Sequence, residues 1–304
     1  MSGGEAVRLP CPRAWAELLR LPALCTVPGD ALAGAAALTA HPNRRTLLAL
    51  ASSLCLYEAG MALNDWADRT EDAVERPHRP LPSGRIRPAA AFTAACAFTA
   101  TGLALAARAG RPALTVAVLL AATVWSYDLA LKRTPAGPFA MTAARGLDLL
   151  LGAAATAGHL RPALPSAALL GTHTLAVTTV SRHETRDGTP AAPLAALAMT
   201  GTLTWLLTRR PPRRGSPSHR QSALSTSLTA ALSATYAATT THPYVHATLN
   251  PSPPLTQRAV GAGIRATIPL QAALAARSGA TTTALLLTAL APVARKLARR
   301  VSVT

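Results

Sequence analysis

Aromatic side chains are scarce in this 304-residue sequence, which has only three phenylalanines, four tryptophans and four tyrosines. Half of the residues are hydrophobic, but alanine and threonine stand where leucine or phenylalanine would be usual. The mean hydropathy is therefore only +0.25. Because a window scan can miss weak membrane segments of this kind, the uncharged runs are a better guide to the architecture.

Cysteine is also rare. Cys11, Cys25, Cys55 and Cys96 are widely separated and follow neither the spacing of metal ligands nor that of redox pairs. This pattern implies no disulfide framework, and we interpret the four thiols as small apolar side chains.

Charge is missing from long parts of the chain. Four runs of at least 20 residues contain no Asp, Glu, Lys or Arg: 88–107, 162–181, 188–208 and 221–257. Since about 20 residues in a helix cross the hydrocarbon core of a bilayer, the pattern predicts an all-α, polytopic membrane bundle of about nine transmembrane helices. We expect a single domain over 1–304, with a flexible lead at 1–13 and a basic loop at 209–221.

Acids are outnumbered, with 13 Asp plus Glu against 30 Lys plus Arg and a net charge of +17. Such an excess can indicate nucleic-acid binding, but the arginines stand in short clusters between apolar runs. We interpret them as loop anchors and phosphate contacts, and we expect the bilayer rather than nucleic acid as the partner.

The scarcity of acids makes the segment NDWADRTED, residues 64–72, conspicuous at the end of an apolar run. If the helix continues through it, Asn64, Asp68 and Asp72 share one face, with Asp65 beside them. Clustered oxygens of this kind favour a hard cation, most naturally Mg²⁺, which is often shared with substrate phosphates. The simpler alternative is an exposed helix end whose charges pair at i, i+4, such as Asp72 with Arg76.

The acidic segment is followed by RPHRPLPSGRI, residues 76–86. The two together resemble the first aspartate-rich motif and the adjoining loop of the UbiA superfamily of intramembrane prenyltransferases. Within that superfamily, residues 258–271 are most similar to the EboC-type branch. The resemblance implies a UbiA-like bundle that uses Mg²⁺ to ionise a prenyl diphosphate and transfers the prenyl group to a lipophilic, often aromatic, acceptor.

Several other positions are candidates for the same site. Tyr57 lies two helical turns before Asn64, either facing the cavity or packing in the core. Lys132, five residues after Tyr127, is similar to the family's pattern and is either a phosphate contact or a membrane anchor. Arg145 and Asp148 stand in the middle of an apolar segment, where they either contact a ligand or close on each other as a structural pair.

The second acidic cluster, 181–188, departs from the family's pattern of two aspartates four residues apart. It offers Glu184 and Asp187 three residues apart, flanked by Arg182 and Arg186. The arginines could replace part of a second metal's charge, so two-metal chemistry is open.

The predicted site has three groups of residues, some of which belong to two groups. The metal ligands are Asn64, Asp65, Asp68, Asp72, Glu184 and Asp187. The diphosphate contacts are Arg76, Arg79, Lys132, Arg145 and Arg182. The residues closest to the chemistry are Asp68, Asp72, Tyr57 and Tyr127, with Trp66 as a further shield for an allylic cation.

Up to and including the loop after the sixth predicted helix, the loops on the side of the acidic motifs contain twelve Lys and Arg residues, whereas the loops on the opposite side contain five. Because basic loops stay in the cytoplasm, this asymmetry predicts a cytoplasmic active site. Two other functions stay open: cyclisation of the prenyl substrate without an acceptor, and a non-catalytic bundle that binds a lipid phosphate or a partner protein.

Overall fold

The computed structural model describes residues 12–20, 26–38, 41–182, 189–209 and 219–300, apart from the side chains of 219–222, 291 and 293–300. Its regular elements are helical and run in this order: α1 (Pro12–Leu18), α2 (Val27–Ala37), α3 (Arg44–Ala67), α4 (Arg69–Glu75), α5 (Pro88–Ala109), α6 (Arg111–Ser126), α7 (Gly137–Ala157), α8 (Leu164–Ser181), α9 (Ala191–Thr208), α10 (His219–Leu249), α11 (Pro253–Arg277) and α12 (Thr281–Arg300). The all-α prediction is confirmed.

Local sequence explains where several helices begin and end. Asn43 caps α3, because its side chain accepts from the backbone of Arg45 and Thr46 while the Thr46 hydroxyl accepts from the Asn43 N–H. Gly110 has a φ of 137°, which allows α5 to turn directly into α6. Pro112 then occupies the first turn of α6, where a missing N–H costs nothing.

Two predicted helices differ from the structure. The first, predicted from about 15 to 39, is instead two helices, α1 and α2, and residues 21–25 between them lie outside the described ranges. The eighth, predicted within 221–242, continues through Pro243 to Leu249 as α10. A proline removes one backbone hydrogen bond, which neighbouring helices in a bundle can tolerate.

Six helical segments among the described residues are long and apolar enough to cross a membrane: Arg44–Ala67, Pro88–Ala109, Arg111–Leu131, Arg161–Ser181, Ala191–Thr208 and Pro253–Arg277. The predicted count of nine is thus not confirmed. The 31-residue helix α10 falls outside this set because threonine lowers its hydropathy.

The threonine hydroxyls are nevertheless satisfied within their own helices. Thr235, Thr239 and Thr241 each donate to the carbonyl oxygen four residues earlier, at 2.7–2.9 Å. Thr200 of α9 does the same at 2.9 Å. Such a bond removes most of the cost of placing a hydroxyl in an apolar medium.

Small residues let helices approach closely, most clearly where α2 crosses α7. A methyl group at Gly34 would overlap the main-chain oxygen of Leu149, and one at Gly152 would overlap that of Ala31. The two backbones therefore touch, as small residues permit in membrane bundles.

This contact predicts the effect of adding one methyl group. Gly152→Ala should lower the free energy of unfolding by about 1–3 kcal/mol, because the helices must separate to make room. Gly201→Ala on α9 is the matched control, since a methyl group there has no neighbour within 4 Å. SDS-induced unfolding in mixed micelles would compare the two, and equal stability would contradict the close contact.

Candidate active site

The acidic motif lies where α3 passes into α4. The backbone N–H of Asp68 donates to the main-chain carbonyl oxygen of Asn64 at 2.9 Å. The backbone N–H of Asp72 donates to the main-chain carbonyl oxygen of Asp68 at 2.8 Å. Asp68 itself has a ψ of 1°, which interrupts the helix for one residue. The predicted i, i+4 spacing of Asn64, Asp68 and Asp72 is therefore retained in the backbone hydrogen bonds, although the helix is interrupted at Asp68.

Asp72 is buried and paired with the loop that follows it. Its Oδ2 accepts from Arg79 Nη1 at 2.8 Å, and its Oδ1 lies 3.7 Å from Arg76 Nη1. The i, i+4 contact with Arg76 is the one that the simpler interpretation predicts. The shorter contact with Arg79 joins the motif to the RPHRPLPSGRI loop, which that interpretation does not predict.

Asp65 is also buried, with 4 % of its surface exposed. Its Oδ1 accepts from Arg20 Nη2 at 3.1 Å and lies 3.6 Å from Arg79 Nη1. Arg20 was not predicted as a site residue. No local signal connects it to Asp65, because the pair is 45 residues apart.

Asp68 faces the segment after α6. Its Oδ1 lies 2.5 Å from Lys132 Nζ and 3.3 Å from Arg133 Nη2. Arg133 also pairs with Glu71. Lys132 was predicted as a phosphate contact or a membrane anchor, and the structure brings it to the acidic motif. Arg133 was not predicted.

A single π-helical turn, Tyr127–Leu131, connects α6 to Lys132. Turns of this kind are frequent at functional sites. This one buries Asp128, whose Oδ1 accepts from Asn64 Nδ2 at 3.0 Å. Asp128 was missed as a site residue, although an acid at the end of an apolar run in so acid-poor a chain was a usable signal.

A cavity of about 250 Å³ opens beside these residues. Four predicted site residues line it: Tyr57, Asn64, Tyr127 and Arg145. Asp148, a candidate partner of Arg145, also lines it, as do two charged residues that were not predicted as site residues, Arg20 and Asp128. The rest of the wall is largely apolar and includes Leu56, Met61, Leu120, Val124 and Met141. The cavity thus has charged and polar groups at both ends and an apolar middle.

Arg145 forms a close ion pair with a residue of another helix. Its Nη1 lies 3.0 Å from Asp30 Oδ2 of α2, while Gln271 Nε2 of α11 donates to Asp30 Oδ1 at 2.6 Å. Asp148, the partner suggested by the i, i+3 spacing, is not within 4 Å of a basic group in the described part of the chain. The structural pair closing on itself is therefore not observed.

Two other predicted residues lie away from the cavity. The Trp66 ring is tilted by 42° against Phe92, with 4.7 Å between the ring centroids, and it lies beneath the Arg69 guanidinium at 4.5 Å, so the structure does not place it as a shield. Arg182 Nη1 donates to the Thr134 carbonyl at 2.5 Å, near the Lys132 segment. Glu184 and Asp187 lie outside the described residues.

Within the described ranges, no group of three or more His, Cys, Asp or Glu side chains is arranged to hold a metal ion. The first motif still suits Mg²⁺ by its donor chemistry, because Asn64, Asp68 and Asp72 all carry oxygen ligands. Mg²⁺ needs only one or two carboxylates when water and phosphate complete its shell. The basic residues that now contact these carboxylates would then have to turn elsewhere.

The fold and the site define a multi-pass helical membrane protein with a charged cluster at one end of an apolar cavity. A family profile matches residues 23–207, more than half of the chain. The protein belongs to the UbiA prenyltransferase family. The finer resemblance to the EboC-type branch stays a prediction.

Individual relatives agree with this assignment. The digeranylgeranylglyceryl phosphate synthase of Methanopyrus kandleri is 35% identical over 128 residues, which are 40% of this chain and 45% of that protein. The first curated relatives are each matched over only about half of their length.

Two solved structures show the same fold. A UbiA homologue from Aeropyrum pernix has a TM-score of 0.64 and 20% identity, covering 83% of this chain and 96% of that one. A UbiA homologue from Archaeoglobus fulgidus bound to GPP and Mg²⁺ has a TM-score of 0.62 and 19% identity, covering 93% and 99%.

The ion pairs of the first motif predict a stability effect. Arg79→Ala should lower the free energy of unfolding by about 1–3 kcal/mol, because the buried carboxylates of Asp65 and Asp72 both lose their contact with the Arg79 guanidinium. Arg87→Ala is the control, since Arg87 is exposed and its side chain caps no helix. SDS-induced unfolding would measure both, and equal midpoints would mean that Arg79 does not bridge the acids.

Proposed function

We propose that this protein transfers a prenyl group from a prenyl diphosphate to a lipophilic, for example aromatic, acceptor within the membrane, and that it requires Mg²⁺. One observation carries the proposal: a cluster of carboxylates and basic groups lies at one end of an apolar cavity. Family membership supports the same reaction class. A structural neighbour bound to GPP and Mg²⁺ supports the donor and the metal.

The residues that would hold the metal are Asn64, Asp68 and Asp72, with Asp65 beside them. When bound there, Mg²⁺ supplies positive charge that stabilises a leaving diphosphate. Asp68 and Asp72 would then no longer need their present ion pairs. Arg76, Arg79 and Lys132 would thereby become available to donate to diphosphate oxygens, where preorganised cations are most effective.

The cavity wall would protect the carbon end of the donor. Tyr57 and Tyr127 present aromatic rings to the cavity, and such rings stabilise a nearby cation. Leu56, Leu120 and Val124 exclude water from the same space. An allylic cation formed there would meet the acceptor before it met solvent.

We place this site on the cytoplasmic side of the membrane. The support is the excess of Lys and Arg in the loops next to the acidic motif. The acceptor is proposed only as a chemical class, because the match to the first curated relatives spans only about half of their length and does not carry their acceptors over to this chain.

The decisive experiment is Mg²⁺-dependent release of diphosphate from geranyl, farnesyl and geranylgeranyl diphosphates in liposomes. The double variant Asp68→Ala/Asp72→Ala should lose on the order of 100-fold in rate, since it removes the metal ligands and the partners of the basic groups. Glu75→Ala is the matched control, because Glu75 is an exposed acid in the same segment.

Product analysis would then separate transfer, cyclisation and plain hydrolysis. Release that requires metal and fails in the double variant supports the proposal. Donor binding without release, in the presence of a panel of lipophilic acceptors, would instead support a bundle that binds lipid phosphate without turnover.

The second acidic cluster allows a separate prediction. His183→Asp places an aspartate four residues before Asp187 and so restores the spacing usual in the family. If the protein is an enzyme with a weak second metal site, the rate of diphosphate release should rise at limiting Mg²⁺. His183→Asn, which adds no charge, is the control, and a binding module would show no release in either variant.

A further inference from the structure

Basic residues dominate the last part of the sequence, which contains no acid. Residues 188–304 include twelve Lys and Arg but no Asp or Glu. An arginine of this part that needs a counter-charge must therefore obtain it from the earlier part of the chain or from a separate molecule. Arg258 and Arg265 of α11 raise this question most directly, because they stand inside a membrane-spanning helix.

Arg265 is the central residue of α11, twelve residues from each end of the span Pro253–Arg277. At 1.5 Å per residue, it lies about 18 Å from either end of the helix. Arg258 and Arg265 are both exposed, and neither forms an ion pair or a side-chain hydrogen bond with another described residue. An unpaired guanidinium at this depth is costly, and ionisable groups within the membrane usually mark functional sites.

The two arginines share one face of α11 and converge there. Their separation of seven residues is two helical turns, so they point in directions within about 20° of each other. Arg265 Nη1 lies 3.3 Å from the position that a Cβ atom would occupy at Gly261. The Arg265 side chain therefore runs back across the glycine toward Arg258, and a larger residue at 261 would obstruct its path.

Two converging guanidinium groups need an anion between them. Like charges repel more strongly in a medium of low dielectric constant, and neither arginine has an acid beside it to offset the other. Phosphate suits such a pair, because a planar guanidinium can donate two parallel hydrogen bonds to its oxygens.

Apolar surface adjoins the two charges. Ile264, next to Arg265 in the chain, is 52% exposed. A free ion would gain nothing from this surface, whereas the acyl chain of a lipid would cover it. Positive charge beside exposed hydrocarbon in a membrane-spanning helix therefore matches an anionic amphiphile.

This part of α11 lies at the end of the bundle that contains the acidic motif. Val260 packs in one apolar cluster with Val180, near the end of α8. Arg182, which follows α8, donates to the Thr134 carbonyl in the segment that pairs with the motif. The two arginines thus lie toward the same membrane surface as the motif, although the described lining of the cavity does not include them.

We propose that Arg258 and Arg265 form a binding site for the phosphate group of an anionic phospholipid, with Gly261 providing space for the Arg265 guanidinium. The phosphate accepts hydrogen bonds from both arginines, and an acyl chain lies along the apolar surface at Ile264. The site is separate from the cavity, so it does not rest on the proposed prenyl transfer.

Native mass spectrometry of the full-length protein in a non-ionic detergent would measure the binding. The probes are phosphatidate and phosphatidylcholine with the same acyl chains, added without Mg²⁺ or prenyl diphosphate. Wild-type protein should bind its first phosphatidate at least about ten-fold more tightly than phosphatidylcholine, because only phosphatidate has a net negative charge to share between the arginines.

A pair of double variants tests the role of the arginines. Arg258→Gln/Arg265→Gln should reduce the preference for phosphatidate about ten-fold, since the amides lack the charge and the fork of donors. Arg108→Gln/Arg111→Gln removes the same charge from two exposed arginines between α5 and α6, and it should leave the preference unchanged. Because the readout compares two lipids, a general loss of folding does not imitate it.

A second pair of variants tests the geometry without changing the charge. Gly261→Leu should also reduce the preference for phosphatidate, because the new side chain obstructs the path of Arg265 across the glycine. Gly201→Leu is the matched control, since a side chain at position 201 enters open space.

An unchanged preference in Arg258→Gln/Arg265→Gln would overturn the site. An equal loss in both double variants would overturn it as well, because net charge alone would then explain the binding. Displacement of phosphatidate by equimolar inorganic phosphate would overturn the assignment of a lipid. Failure of the proposed function would appear separately, as a normal lipid preference together with no diphosphate release from any donor.

Discussion

Carboxylates inside a membrane protein need nearby positive charge, and this requirement shapes the site. Low-dielectric surroundings make an unpaired carboxylate expensive, so Asp65, Asp68 and Asp72 each contact one or two basic side chains. Those contacts join α1, α3, α4 and the segment after α6 at one end of the bundle. The charges that we propose to bind a diphosphate therefore also fix the positions of the elements around it.

The two ends of the cavity meet the same requirement differently. Near the motif, basic side chains neutralise the acids and could exchange them for a ligand. At the far end, Asp30 is held between Arg145 and Gln271. The first end is thus suited to a strongly charged ligand, whereas the contacts at the other end hold α2, α7 and α11 together.

The parts of the architecture that sequence predicted correctly are those that depend on local patterns. Uncharged runs located most of the helices, and the i, i+4 spacing of Asn64, Asp68 and Asp72 is retained in the backbone hydrogen bonds. The scarcity of acids also made the first motif stand out from a basic chain.

What sequence could not predict depends on contacts between distant segments. Arg145 stands three residues from Asp148, yet it pairs with Asp30, which is 115 residues away along the chain. Arg20 and Asp65 meet only because the turn after α1 packs beside the end of α3. Helix ends were also less certain, because Pro243 does not stop α10 when neighbouring helices support it. No spacing rule within one helix carries this information.

The threonines of α10 have a consequence for how the protein reaches the bilayer. A hydropathy scale assigns each hydroxyl the cost of a group that must give up water, but Thr235, Thr239 and Thr241 already donate to their own helix. Once the helix has formed, its outer surface is less polar than its composition indicates. During biogenesis, such a segment would partition into lipid more readily after it coils than while it is extended, so folding and insertion of α10 would be coupled.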